Sequence, residues 1–512
     1  MADTTSDAPR DRDAGAPEAP DGQGPDAPPP PGDRLDWLRL AGLAAGPLVC
    51  LAVLVPPPAA MPPEAWRMVA VAGWMVVWWL SEAVPIPATA LLPLVLMPLF
   101  GIQDAGATAA RYGHPLIFLF LGGFLLAAAM QRVRLHRRIA LHIVAWIGTT
   151  PDRIVLGFML ATAFLSMWIS NTATAIMMFA VGLSVIGFVA DNTADAAASR
   201  RFGIALMLSI AYAASIGGVG TLIGTPPNAL LASFLQSTYG IEISFFRWML
   251  IGLPIVVVML PAAWLLLTRV LFPADAIRVE SPEAVVHGQL AALGRMSRAE
   301  RLVGIVFLAT ATLWVLRTPL AAWSGLPLDD TMIAIAAALV LFAVPVSRRG
   351  DGFALDWEAA RGLPWGVLLL FGGGLALAEG FAATGLAAWI GGRVAGFEVG
   401  PALLVLVVLA AMVYLTEITS NTASTATFLP IVGAIAVGLG LDPVVLAVPV
   451  ALGASMAFMM PVATPPNAIV FSYEEMTLRD MVRAGFWLNV MAIAVAFAAF
   501  MLLGPRVFDV AL

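Results

Sequence analysis

Ser170-Asn171-Thr172 stands in the middle of the apolar run 154–190, and Ser420-Asn421-Thr422 interrupts a second such run 250 residues later (420 − 170). A plain spanning helix has no use for three polar residues at its centre, because hydrocarbon offers their groups no partner. Each triplet is followed by a second interruption: Gly224-Thr225-Pro226-Pro227-Asn228 in the first case, Ala463-Thr464-Pro465-Pro466-Asn467 in the second. We read the four breaks as the two halves of one binding site, buried at membrane depth.

The rest of the chain fits that setting. Of its 512 residues 60% are hydrophobic and 12% charged, and the mean hydropathy is +0.90. Soluble domains carry about 25% charged residues. Apolar runs recur at roughly the 20-residue length that a bilayer core demands, without the alternation of a membrane β-barrel. The fold class is therefore an all-α integral membrane protein of about eleven transmembrane helices, with broken helices at the midplane.

Charge and chemistry-bearing residues exclude several functions. Residues 1–34 carry eight acids against Arg10, Arg12 and Arg34, which accounts for −5 of the net −6. The membrane body is nearly neutral, all 27 basic residues are Arg, and nucleic acid has no basic surface to bind. Cys50 is alone, and His114, His136, His142 and His287 show no metal-ligand spacing. No His–carboxylate or Ser–His pair lies at membrane depth, so the chain reads as something other than an enzyme.

Taken in order, residues 1–34 form a disordered acidic, Pro-rich tail. Residues 35–272 make a first transmembrane repeat, 273–300 a hydrophilic linker, and 301–512 a second transmembrane repeat. Two short apolar stretches, 116–130 around Gly122-Gly123 and 366–378 around Gly372-Gly373-Gly374, again lie 250 residues apart. Each is read as a re-entrant hairpin that reverses at its glycines. The cluster Arg132, Arg134, Arg137 and Arg138 is assigned to the cytoplasm. Glu82, beside Pro85 and Pro87, is a functional candidate. Glu417 has Met167 as its counterpart in the first half, so it is read as a structural acid.

The breaks suggest a division of labour. Helix N-termini offer N–H groups and positive dipole to anions, and C-terminal ends offer carbonyls to cations. Ser166 and Thr416, each one turn before a triplet and again 250 apart, face the same side as their triplets and could ligate a cation. No basic residue lies between Arg153 and Arg200, Arg201 and Arg247, or Arg393 and Arg479. Neutral donors, dipoles and co-bound cations must then balance a bound anion, which favours Na⁺ as the coupling ion.

These residues give the chain a resemblance to the divalent anion:sodium symporter family of dicarboxylate, citrate and sulfate transporters. The resemblance covers about 36–510. It rests on residues 81–87 running into Leu91-Leu92-Pro93-Leu94, the stretch LFLGGF at 119–124, both triplets and both Thr-Pro-Pro-Asn turns. It implies a homodimer in membrane lipid, built of inverted repeats and moving by an elevator-like step. It also implies Na⁺-driven symport of a C4-dicarboxylate such as succinate. The alternatives are a sodium-independent dicarboxylate exchanger, or a sulfate or tricarboxylate carrier on the same scaffold. The implied location is the inner (plasma) membrane, multi-pass, with a cytoplasmic N-terminus. By the same resemblance the substrate carboxylates meet Ser170, Asn171 and Thr172 on one side and Ser420, Asn421 and Thr422 on the other. Thr225-Pro226 and Thr464-Pro465 close around them. One Na⁺ is implied among Ser166, Ser170, Asn171 and Gly224, a second among Thr416, Ser420, Asn421 and Ala463.

Overall fold

The computed structural model describes residues 37–511 apart from 52–54, 59, 149, 194, 274–282, 347–351 and 398. The tail 1–34, much of the linker and Arg348-Arg349 lie outside the described residues. Helix α1 (Trp37–Cys50) precedes a first set: α2 (Pro63–Ser81), α3 (Ile86–Thr89), α4 (Leu92–Leu99), α5 (Ala105–Ala110), α6 (Pro115–Arg132), α7 (Leu135–Ile147), α8 (Pro151–Ser166), α9 (Asn171–Asp191), α10 (Ala196–Val219), α11 (Pro226–Tyr239) and α12 (Phe245–Leu265). The linker helix α13 (Glu283–Leu293) leads to α14 (Arg298–Ser324), α15 (Asp330–Ala343), α16 (Trp357–Arg361), α17 (Trp365–Ala383), α18 (Leu386–Val394), α19 (Pro401–Leu415), α20 (Asn421–Gly438), α21 (Val444–Ala454), α22 (Pro465–Phe471) and α23 (Leu478–Phe508). Among the described residues, eight helices are long and apolar enough to cross a membrane.

Local chemistry sets the breaks. Ser170 and Ser420 are N-caps whose hydroxyls accept the N–H of Ala173 (3.3 Å) and Ala423 (3.4 Å), so a new helix starts at each asparagine. Thr225 and Thr464 are extended, as residues before proline must be, and each proline pair fills the first two helical positions. Helix α10 enters the core with every residue from 202 to 225 buried, which suits a helix apolar on all sides.

The hairpins are not where the glycines suggest. Gly122-Gly123 and Gly372-Gly373-Gly374 lie inside the continuous helices α6 and α17, all five buried. Their missing side chains serve close approach. A Cβ on Gly122 would meet the Ala334 backbone at 2.8 Å, and one on Gly373 the Ala90 carbonyl oxygen at 2.4 Å. This is the use of small residues between membrane helices. The chain instead reverses at the first triplet: a Cβ on Gly182, eleven residues into α9, would lie 3.7 Å from the Phe158 ring near the middle of α8. Helices α8 and α9 both pack on α10, and α19 and α20 both pack on α21.

The last long helices of the two sets have opposite sense. Equivalent helices α12 and α23 pack side by side and run antiparallel. Arg247 at the start of α12 binds Asp509 (2.9 Å) and the Val507 carbonyl at the end of α23. The cross-packing is reciprocal, α9 on α22 and α20 on α11. At the start of α10, Arg201 reaches the Pro273 carbonyl beyond α12, and Arg200 reaches Asp480 at the start of α23, both at about 3.0 Å. Those ends share one face of the molecule. Helix α14 starts on that same face, because Arg317 near its other end pairs with Glu242 (2.8 Å) just before α12. Arg138 of α7 joins Glu300 of α14 there at 2.7 Å. The clusters at 132–138, 200–201 and 295–301 thus gather on one arginine-rich face.

Candidate functional site

The four breaks line a single cavity of about 1340 Å³. Its wall includes Ser170, Asn171 and Thr172, Ser420, Asn421 and Thr422, Gly224 through Pro227, and Ala463 through Pro466. All the residues expected around the substrate are therefore brought together, together with Gly224 and Ala463. Phe120 and Phe124 of α6 and Val367 of α17 form the opposing wall, and Arg39, Glu82 and Arg132 lie at the mouth. Since α6 ends at Arg132 beside the arginine cluster, the cavity opens toward the arginine-rich face.

The N-terminal ends of α9, α20, α11 and α22 meet here. The first amides of α9 and α20 have no partner inside their helices, so N–H groups of the hairpin tips are free for an acceptor. The prolines opening α11 and α22 have no N–H to give. Those two ends contribute dipole, and the two hairpin tips contribute hydrogen bonds. No arginine stands at the base of the site. At the mouth, Arg39 pairs with Glu82 (3.8 Å) and Arg132 with Asp356.

Behind the first triplet lies an oxygen cluster. Buried Ser166 donates to the Ala214 carbonyl at 2.7 Å and contacts the Asn171 carboxamide. With its nitrogen turned inward, that carboxamide donates to Gly224 O and Ala214 O, each at 3.2 Å, and to Ser166 Oγ. With its oxygen inward, four oxygens converge. Gly218 and Gly224 allow this closeness: a Cβ on Gly224 would lie 2.4 Å from the Gly218 carbonyl oxygen, and one on Gly218 would lie 2.9 Å from Asn171 Oδ1. The second half differs. Thr416 is buried but donates within its own helix, to Met412 O at 2.8 Å, while Asn421 Oδ1 is buried without a hydrogen-bond partner.

Three buried residues hold the breaks in shape. Asn228 and Asn467 do not face the cavity; they are fully buried staples. Asn228 Nδ2 donates to the carbonyls ten and seven residues earlier, Gly218 O (3.1 Å) and Thr221 O (2.8 Å). Asn467 Nδ2 does the same to Ala457 O (3.4 Å) and Met460 O (3.0 Å), at identical spacings. Glu417 is buried and receives backbone N–H groups from 458–460. The repeat of Thr-Pro-Pro-Asn is the one signal that could have exposed the staples. Glu379 pairs with Arg111 at 3.2 Å, away from the cavity lining.

The family described as "Sodium:sulfate symporter transmembrane region" matches residues 36–508. The chain belongs to the divalent anion:sodium symporter family. The Staphylococcus saprophyticus protein named sodium-dependent dicarboxylate transporter SdcS is 42% identical over 480 residues, covering 92% of each chain. A Staphylococcus aureus protein of the same name is 41% identical over 463 residues, 89% of each. Among solved structures, the Alcanivorax borkumensis YdaH transporter aligns with a TM-score of 0.59 at 15% identity, over 87% of this chain and 100% of that one. Neisseria gonorrhoeae MtrF aligns with 0.57 at 12%, over 92% and 95%. At such identities the likeness concerns fold alone. Symporter family membership makes the chain a membrane carrier and not an enzyme.

Proposed function

We propose that the protein is a Na⁺-coupled symporter of C4-dicarboxylates such as succinate. It would work as a homodimer in the plasma membrane, with its arginine-rich face and N-terminus in the cytoplasm. One observation carries the reading: two hairpin tips point free amides into one cavity whose base holds no fixed cation. One carboxylate would take Ser170, Asn171 and Thr172, the other Ser420, Asn421 and Thr422, with Thr225-Pro226 and Thr464-Pro465 alongside. A dianion in that position needs mobile counter-charges. A cation about 4 Å from a carboxylate contributes about 4 kcal/mol at an effective dielectric of 20, nearly three decades of affinity. The first Na⁺ would sit among Ser166, Ser170, Asn171 and Gly224. The second would sit among Thr416, Ser420, Asn421 and Ala463.

The names of the staphylococcal relatives support both the cation and the substrate class. In this reading the part carrying the hairpins, α10–α12 and α21–α23 slides against the rest during transport, an elevator step. Uptake of radiolabelled succinate into proteoliposomes tests the proposal. An inward Na⁺ gradient is expected to drive accumulation that K⁺ does not, with succinate competing better than sulfate or citrate. Full-rate counterflow without Na⁺ would make the protein an exchanger, and stronger competition by sulfate would reassign the substrate.

A further inference from the structure

We propose that Glu417 is a positioning residue that sets the Na⁺ response of the second half-site by holding the break between α21 and α22 in shape. The inference rests on the symport reading above. Glu417 is 4% exposed and lies on the turn between α19 and Ser420. Its Oε1 accepts from Phe458 N (2.8 Å), Met459 N (3.0 Å) and Asn489 Nδ2 (2.7 Å), and its Oε2 from Met459 N (3.0 Å) and Met460 N (2.9 Å). A carboxylate has about four lone-pair sites, and donors take all of them. None is left for a cation, so Glu417 acts on the cation site only through the backbone it holds.

The two repeats show what the carboxylate replaces. In the first, the break spans 220–225 and closes through its own turns, Gly220 N to Gly217 O (2.9 Å) and Gly224 N to Thr221 O (3.4 Å), while Thr221 Oγ1 donates to Met167 O. In the second, the break spans 455–464 and is longer by four residues. Its amides at 458–460 point inward with no carbonyl to meet them, and the acid at the position equivalent to Met167 supplies the acceptor. Carbonyls of the same segment hold Asn467, which starts the turn behind Ala463 and Thr464. Glu417 thus connects the second triplet to the residues that face it across the cavity.

The test is the Na⁺ dependence of succinate uptake by full-length Glu417→Gln in proteoliposomes. Glutamine keeps the volume but puts an N–H₂ against backbone N–H groups, losing charge-assisted bonds. The expected result is a Na⁺ half-saturation raised about tenfold, with the succinate KM at saturating Na⁺ changed far less. A merely structural role would lower the folded yield and maximal rate without moving the Na⁺ half-saturation, and that outcome overturns the inference. Should Glu417→Gln fail to fold, Asn489→Ala removes one donor only and must move the Na⁺ half-saturation; a wild-type value there also overturns it. If uptake by the wild type ignores Na⁺, the symport reading falls with it. If the wild type responds to Na⁺ and the variant responds identically, only this inference falls.

Discussion

Asn171 and Asn421 hold equivalent first-turn positions, yet their surroundings differ. The Asn171 carboxamide is enclosed by Ser166, Ala214 O and Gly224 O, whereas Asn421 Oδ1 has no hydrogen-bond partner. In the proposed arrangement each carboxamide joins a cation site to an anion site, so losing either should disable both. Asn171→Ala and Asn421→Ala are each expected to cut uptake at least about tenfold, while size-exclusion profiles stay those of folded protein. Gly224→Ala is a stricter test of geometry, because its Cβ would stand 2.4 Å from a backbone oxygen that has little room to move. Overpacking of this kind costs roughly 1–3 kcal/mol; a lowered Tm and a lost Na⁺-induced thermal shift are expected. Both asparagines were readable from the sequence because polar triplets in hydrocarbon demand an explanation. Glu417 reads as a structural acid from the sequence, but its donors lie 41 to 72 residues further along the chain and no local pattern announces them.

Element by element, the apolar runs mark helices well, and capping chemistry marks where they restart. The hairpins were misplaced for a specific reason. Adjacent glycines are equally suited to a reversal and to close packing, and only the neighbours, Ala334 for Gly122 and Ala90 for Gly373, decide between them. The reversal at the triplets exposes an asymmetry between the two tips. Trp168, beside the first triplet, lies parallel to Trp314 (centroids 6.5 Å apart), stacks on Phe245 (5.9 Å) and meets the edge of Phe307 (5.0 Å). Its counterpart Ile418 is 72% exposed and lines the cavity. One tip is sealed against α14 and the other faces the opening. Trp168→Ala removes roughly 3–5 kcal/mol of packing from the seal, close to what inverts a lopsided two-state equilibrium. In a Cys50→Ser background, Ile418→Cys should react with a thiol reagent added at the arginine-rich face, and adding Trp168→Ala should slow that labelling several-fold. Unchanged labelling would mean that the aromatic stack does not hold this state.

At the scale of the whole molecule, the polar triplet and the Thr-Pro-Pro-Asn turn each occur twice, and both copies line one cavity. The duplication was readable at a fixed 250-residue offset, but spacing cannot separate inverted from parallel copies. The antiparallel run of α12 and α23, tied by Arg247 and Asp509, has the sense that inversion requires. It also puts the arginine clusters at 132–138, 200–201 and 295–301 on one face. In the proposed arrangement the two halves form one cooperative site, each triplet taking one end of the anion and one cation. Binding of succinate to purified protein by titration calorimetry, with Na⁺ or K⁺ as the only cation, tests this most directly. The account predicts heat of binding in Na⁺ alone, absent in K⁺, and lost equally in Asn171→Ala and Asn421→Ala. Succinate binding of equal strength in K⁺, or retained in either variant, would contradict it.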